Sequence, residues 1–171
     1  MRDWERCRRG CNLVFAQGWS YCPNVQLYEQ PAPYMGEVRV KVKLTNTADA
    51  AAAAAGKMAA DAVRTVEADA LVDTGAVRSC VPAALLQRLG IFPADQMMVQ
   101  YANGAKEAVG VAYGVQFEIM HRKSSDDALI LGDEVFIGQT LLEKMDLFVD
   151  CAGRRLVPNP AHPDFAVNKL K

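Results

Sequence analysis

An excess of charge of either sign is the first thing this sequence lacks: 19 Lys and Arg stand against 20 Asp and Glu in 171 residues, a formal net charge of −1. That balance gives no electrostatic case for nucleic acid or an anionic membrane as a partner. The basic residues are scattered apart from the Arg2–Arg9 stretch, which reads as a solvated terminus rather than a binding patch. Long apolar runs are missing as well. None approaches the roughly 20 residues of a membrane span. Leu13-Val14-Phe15-Ala16 is too short for the ~7–15-residue core of a signal peptide. A cytoplasmic protein is the expectation. Cysteine is sparse and odd in number, at five, which fits a reducing compartment better than a disulfide framework. With two histidines, no Gly-x-Ser-x-Gly and no P-loop, the chain also lacks the marks of a serine hydrolase or a P-loop nucleotidase.

What is present is a hydrophobic share of 51%, enough to bury one good core and to predict one domain. The first 34 residues show no sustained period and read as an N-terminal extension, poorly ordered or not native. Cys7, Cys11 and Cys22 lie in it at a spacing that matches no common zinc site, so ordinary thiols, and no metal or cofactor, are expected. Met35 is a candidate start of the functional domain, which is read as 35–160. From Gly36 to Leu44, valines and leucine alternate with Glu37, Arg39, Lys41 and Lys43, the pattern of a half-buried strand. An Ala-rich insertion over 48–62 has no apolar stripe and reads as mobile or weakly helical. A second strand over about Thr65 to Val72 then delivers the chain to Asp73.

Beyond it, Pro82 near the start and Gly90 past the end bracket a short helix with Leu85, Leu86 and Leu89 on its buried face. Two strands, Met97 to Tyr101 and Val109 to Ile119, flank the hairpin dipeptide Asn103-Gly104. His121 to Ala128 reads as a polar loop. The last third reads as strand (135–137), glycine, short helix (139–144), strand (146–150), turn and strand (155–157), with a tail from Ala161 to Lys171. Asp126-Asp127 and Asp133-Glu134 are taken as solvated acidic pairs. Cys80 is expected to be a small buried hydrophobe, and Cys151 an exposed turn residue.

Hydrolysing an amide without a metal or a nucleophilic side chain requires an activated water and a proton donor. Two facing carboxylates that share one proton do both, because repulsion at short range makes one a base and the other an acid. A turn presenting such an aspartate favours a small hydroxyl residue and a glycine behind it, as in Asp73-Thr74-Gly75.

Ala70-Leu71-Val72-Asp73-Thr74-Gly75-Ala76 resembles the signature of the retropepsin-like (clan AA) aspartic proteases. Val135-Phe136-Ile137-Gly138 followed by Leu141-Leu142 resembles the apolar-apolar-Gly element of that family, and the hairpin lies between the two, where the family places its flap. The ending, Leu156-Val157-Pro158-Asn159-Pro160 with Val149-Asp150 before it, and the opening Met35-Gly36-Glu37-Val38 look like the bacterial and cellular branch. The resemblance spans about Met35 to Pro160. It implies a mainly β fold, the closed β-barrel half of an acid protease with one or two short helices. It also implies an aspartic endopeptidase in which Asp73 is catalytic and Thr74, Gly75 and Ala76 shape the loop. Ala102, Asn103, Gly104 and Ala105 would form the flap over an extended peptide, with Ile137 and Gly138 as the floor. Side-chain pockets would be apolar, favouring cleavage between hydrophobic residues.

No second Asp-Thr-Gly or Asp-Ser-Gly exists, and Asp150-Cys151-Ala152-Gly153 lacks the hydroxyl, so the resemblance implies a homodimer with one Asp73 per subunit. Retroviral members pair an acidic residue after Asp-Thr-Gly-Ala with an arginine after the apolar-apolar-Gly element. Here Val77 and Gln139 stand at those places, so the dimer base and the nearby substrate-backbone contacts must be built differently. The flap, Asn103-Gly104-Ala105, also lacks the glycine-rich retroviral tip, which puts the grip on substrate, rather than the catalytic water, in question. An alternative is a dimerising peptide-binding or assembly module with little or no hydrolysis. A third expectation is that residues 1–34 are a pro-segment the enzyme removes itself.

Overall fold

The computed structural model describes residues 36–168, together with two short strands ahead of them, β1 (Val14–Ala16) and β2 (Trp19–Tyr21). The chain divides into two compact units, Met1–Met35 and Gly36–Lys171. In the first, β1 and β2 pair antiparallel with Phe15 opposite Ser20. The expectations concerning Cys7, Cys11 and Cys22 and a removable pro-segment lie outside the described residues.

The second unit is mainly β. Its first strand, β3 (Val38–Asn46), alternates as its sequence requires: Val38, Val42 and Leu44 are buried while Arg39, Lys41 and Lys43 face out. It pairs antiparallel with β4 (Thr65–Asp73), Val38 opposite Val72 and Thr45 opposite Thr65. The long β6 (Lys106–Ile119) carries β5 (Asp95–Gln100) and then β3 along one edge, and β7 (Arg122–Ile130) along the other. A bulge between Ala112 and Val115 bends β6, with Gly114 at φ +77° supplying the left-handed residue. β8 (Val135–Gly138) joins β4 in parallel, and β9 (Leu147–Asp150) and β10 (Arg155–Pro158) form a separate hairpin. Helix α2 (Ala83–Leu89) ends on Gly90 at φ +65°, and buries Leu86 and Leu89. Helix α3 (Gln139–Lys144) buries Leu141 and Leu142. These leucines meet Leu44, Val81, Phe117, Ile119 and Ile137 in one core. Among the described residues no helix is long and apolar enough to cross a membrane.

Four expectations change. First, the sheet is not a closed barrel: its strand ladder ends at β5 and β8. Between β7 and β8 only Ser79–Val81 intervenes, exchanging main-chain bonds with Leu129 and Phe136. Pro82, which has no N–H, and α2 follow at once, so this link cannot lengthen into a strand. Second, the polar run from His121 is no loop but most of β7. Its turn, Met120-His121, has both residues at positive φ (51° and 65°), a hairpin geometry normally signalled by Asn or Gly. Third, the return strand of the hairpin before it begins at Lys106 rather than Val109, so a five-residue loop holding Asn103-Gly104 closes it, with Gln100 opposite Lys106.

Fourth, the Ala-rich stretch supplies a third helix, α1 (Thr47–Ala54), followed by a single 3-10 turn at Ala60–Ala62. Its anchor is polar. The Asn46 side chain caps it by accepting from the amides of Ala48 and Asp49, and donates to Leu89 O at 2.9 Å. Asp49, 5% exposed, accepts from Arg64 Nε at 2.6 Å, from the other end of the guanidinium at 2.7 Å and from Arg64 N.

The Arg64 guanidinium holds the Asp49 carboxyl below its ordinary range, and bonds from Asn159, Val167 N and His162 do the same for Asp146. A depressed folded-state pKa stabilises fully above the unfolded value of about 3.9, and that stabilisation is lost as pH falls through the folded value. Asp49→Asn is therefore expected to melt below wild type at pH 7, and the gap should narrow at pH 3. Thermal melts at the two pH values check this.

Candidate active site

Asp73 is the last residue of β4, and the turn after it is closed by its own groups. Its Oδ1 accepts from Gly75 N at 2.9 Å, and its main-chain oxygen accepts from Ala76 N at 3.2 Å. A side chain at Gly75 would start 3.1 Å from Oδ1, so the position favours glycine. The chain then runs back along β8. Gln139 N donates to Ala76 O at 2.8 Å and Thr140 N to Val77 O at 3.2 Å. These are first-turn amides of α3, which have no acceptor within their own helix.

In the parallel pair, Asp73 lies opposite Gly138. A Cβ on Gly138 would stand 2.5 Å from Arg78 C and 2.9 Å from Ser79 N, both main-chain atoms that cannot swing away. Gly138 N donates to the fully buried Ser79 Oγ at 3.1 Å. The loop over residues 73–79 and the β8–α3 junction are thus held main chain to main chain.

Asp73, Gly75 and Ala76 open on a cavity of about 490 Å³. Met97 and Val99 of β5 and Tyr101 just beyond it line the cavity, together with Leu129, Leu131, Phe136 and Cys80. Asp73 is the one carboxylate among the lining residues. Burial pushes the Cys80 thiol up, and the negative charge of Asp73 adds to the effect. The expectation that Cys80 is buried and Cys151 exposed agrees with the structure.

Residues named from the sequence take different places here. Thr74 is exposed beside Asp73. Ala102, Asn103, Gly104 and Ala105 form the hairpin tip, where Gly104 (φ +84°) donates to Tyr101 O and Asn103 Oδ1 accepts from Ala105 N. None of these four lines the cavity. Ile137 points into the core with no exposure, and Phe136, the next residue on the alternating strand, faces the cavity instead. Val77 is 72% exposed, and the Gln139 amide donates to Glu143 of its own helix at 3.0 Å. Sequence reading missed Ser79, Leu129, Leu131 and the Tyr101–Glu107 hydrogen bond (2.7 Å), which raises the Tyr101 phenol. The spacing of Met97, Val99 and Tyr101 was the available signal for that part of the lining.

No family model matches the chain, and no curated protein matches it. Among solved structures it is similar to the solution structure of the simian foamy virus (mac) protease, at 18% identity over 61% of this chain and 90% of that one, with a TM-score of 0.39. It is also similar to the foamy viral protease-reverse transcriptase in complex with an RNA/DNA hybrid, at 19% identity and a TM-score of 0.41. There the match covers 61% of this chain and 11% of the other.

Ser79→Ala would leave the buried Gly138 amide without an acceptor and should cost about 1–3 kcal/mol. Gly138→Ala should cost more, since main-chain atoms must move to admit the methyl. Urea denaturation of both variants measures the two losses and their order.

Proposed function

We propose that this protein is an aspartic endopeptidase of the retropepsin-like family that works as a homodimer. The observation that carries the reading is the placement of Asp73: a single carboxylate on a clamped turn, opposite Gly138, opening on a mainly apolar cavity lined by residues of β5. One carboxylate cannot be base and acid at the same moment, so a second copy of the chain would complete the pair across a two-fold axis.

In that pair, the ionised Asp73 takes a proton from water as the oxygen attacks the peptide carbonyl. The protonated Asp73 of the other subunit gives its proton to the carbonyl oxygen. Collapse of the tetrahedral adduct then returns a proton to the leaving amine. β5 ends the sheet, so its outer edge has main-chain donors and acceptors for a substrate lying as an added strand. The lining of Met97, Val99 and Tyr101 suits apolar side chains beside the scissile bond. The Leu156-to-Pro160 ending favours the bacterial and cellular branch, and the setting we propose is cytoplasmic, with no nucleic-acid or membrane partner.

A second reading has its own observation. Gln139 bonds within α3 and Val77 is 72% exposed, so no ion pair joins these two positions between the loop and the helix. A dimeric module that binds peptide and does not cut it would show binding with no cleavage from pH 4 to 8, in wild type and Asp73→Asn alike.

On the leading reading, Asp73→Asn should lower peptide cleavage by about 10²–10⁴-fold while the protein still folds. Undiminished cleavage by the pure variant would end the proposal. Specific activity of wild type should also fall on dilution, and excess Asp73→Asn should suppress it further by forming mixed dimers. Activity independent of concentration would contradict the dimer.

A further inference from the structure

Asp73 and Arg78 are the two charged side chains lining the cavity, five residues apart on one clamped loop. Among the described residues Arg88 and Arg154 also make no hydrogen bond or ion pair, but neither lines the cavity, and three other arginines have their donors engaged. Arg64 meets Asp49 at 2.6 Å, Arg155 meets Asp150 at 3.1 Å, and Arg122 donates to the main-chain oxygens of Met145, Asp146 and His162 at 2.6–2.8 Å. Arg78 differs. Among the described residues its guanidinium makes no hydrogen bond, and the carboxylate nearest to it, on Asp127, lies 3.8 Å away with its side chain 45% exposed.

The main chain of Arg78 is fixed by the close approach of Gly138, so the side chain leaves the loop from a set point. A guanidinium has five donors in a planar fork that suits a carboxylate, and Arg78 lines a mainly apolar cavity in which it is the one cationic side chain. The charged surroundings on the far side are acidic: Asp127, and Asp95, which accepts from Tyr113 Oη at 3.2 Å. The Tyr113 phenol is pushed up mainly by that bond, with smaller opposing contributions from Asp127 and Arg78.

We propose that Arg78 is a specificity-determining residue that receives a carboxylate of the bound peptide, either an Asp or Glu side chain near the scissile bond or the peptide's own C-terminus. Asp127 holds the guanidinium loosely until that carboxylate arrives. The proposal rests on the endopeptidase reading for its substrate class. It adds that apolar residues alone do not define the substrate.

The test uses peptides with one apolar-apolar bond and Glu, Gln or Lys at each flanking position, with free or amidated C-termini. For wild type, the Glu peptide at one position should have kcat/KM about tenfold above the Gln peptide, chiefly through KM. If the terminal carboxylate is the ligand, the free acid should instead exceed the amide. Arg78→Lys should keep part of the preference, and Arg78→Glu should reverse it toward Lys. Asp127→Asn should sharpen it, and 0.5 M salt should erode it. Equal rates for all charges at every position, or a Glu preference that survives Arg78→Glu, would overturn the proposal. A Lys preference in wild type would do the same and point to Asp127 and Asp95 instead.

Failure of hydrolysis itself is separable. Fluorescence anisotropy of labelled peptides on Asp73→Asn reads binding without cleavage. A Glu or free-acid preference there, lost in Asp73→Asn/Arg78→Glu, supports Arg78 even if no peptide is cut. No preference in binding sinks it.

Discussion

Everything in the candidate site depends on how closely two main chains approach at Gly138. β8 runs parallel to β4, and its last residue must pass within van der Waals contact of Arg78 and Ser79. Only a residue without Cβ passes there. That approach lets Ser79 Oγ accept the Gly138 amide and brings the first amides of α3 onto the carbonyls of Ala76 and Val77. Four short-range constraints therefore fix a turn that would otherwise be an exposed loop. Asp73 inherits its position from them, and so does Arg78.

The loop is braced by main-chain bonds, and that makes sense of Val77 and Gln139. With Val77 exposed and Gln139 bonded to Glu143, no charged pair joins these two positions between the loop and the helix. The helix amides do that work at no cost in buried charge, since first-turn N–H groups need an acceptor in any case. It also leaves Arg78 with unused donors in the cavity lining.

Much of the fold was legible because its signals are local. Alternation over Gly36 to Leu44 marked β3, the Pro82 and Gly90 pair marked α2, and the order strand, glycine, helix, strand, strand after Val135 was read nearly residue for residue. The errors share a cause, which is that long-range partners overrode weak local preference. Ser124-Ser125-Asp126-Asp127 has poor strand propensity, yet pairing with β6 makes it strand. The alanines of α1 have no apolar stripe, and their anchor is a buried carboxylate that meets an arginine fifteen residues on. In the site, the order of Asp-Thr-Gly, hairpin and Ile-Gly was readable. Which side of β8 faces the cavity was not, because an all-apolar Val-Phe-Ile run gives no in-out signal, so Ile137 was named where Phe136 stands. Ser79 and Leu129 enter through the Cys80 bridge, which no local pattern announces.

The central claim is that Asp73 acts as half of a symmetric pair. A crystal structure of the protein with an uncleavable peptide analogue tests it most directly. The account predicts two copies about a two-fold axis, with the Asp73 carboxylates facing each other within hydrogen-bond reach of one group on the analogue. A single copy holding the peptide, or a dimer with the two Asp73 residues far apart, would contradict it.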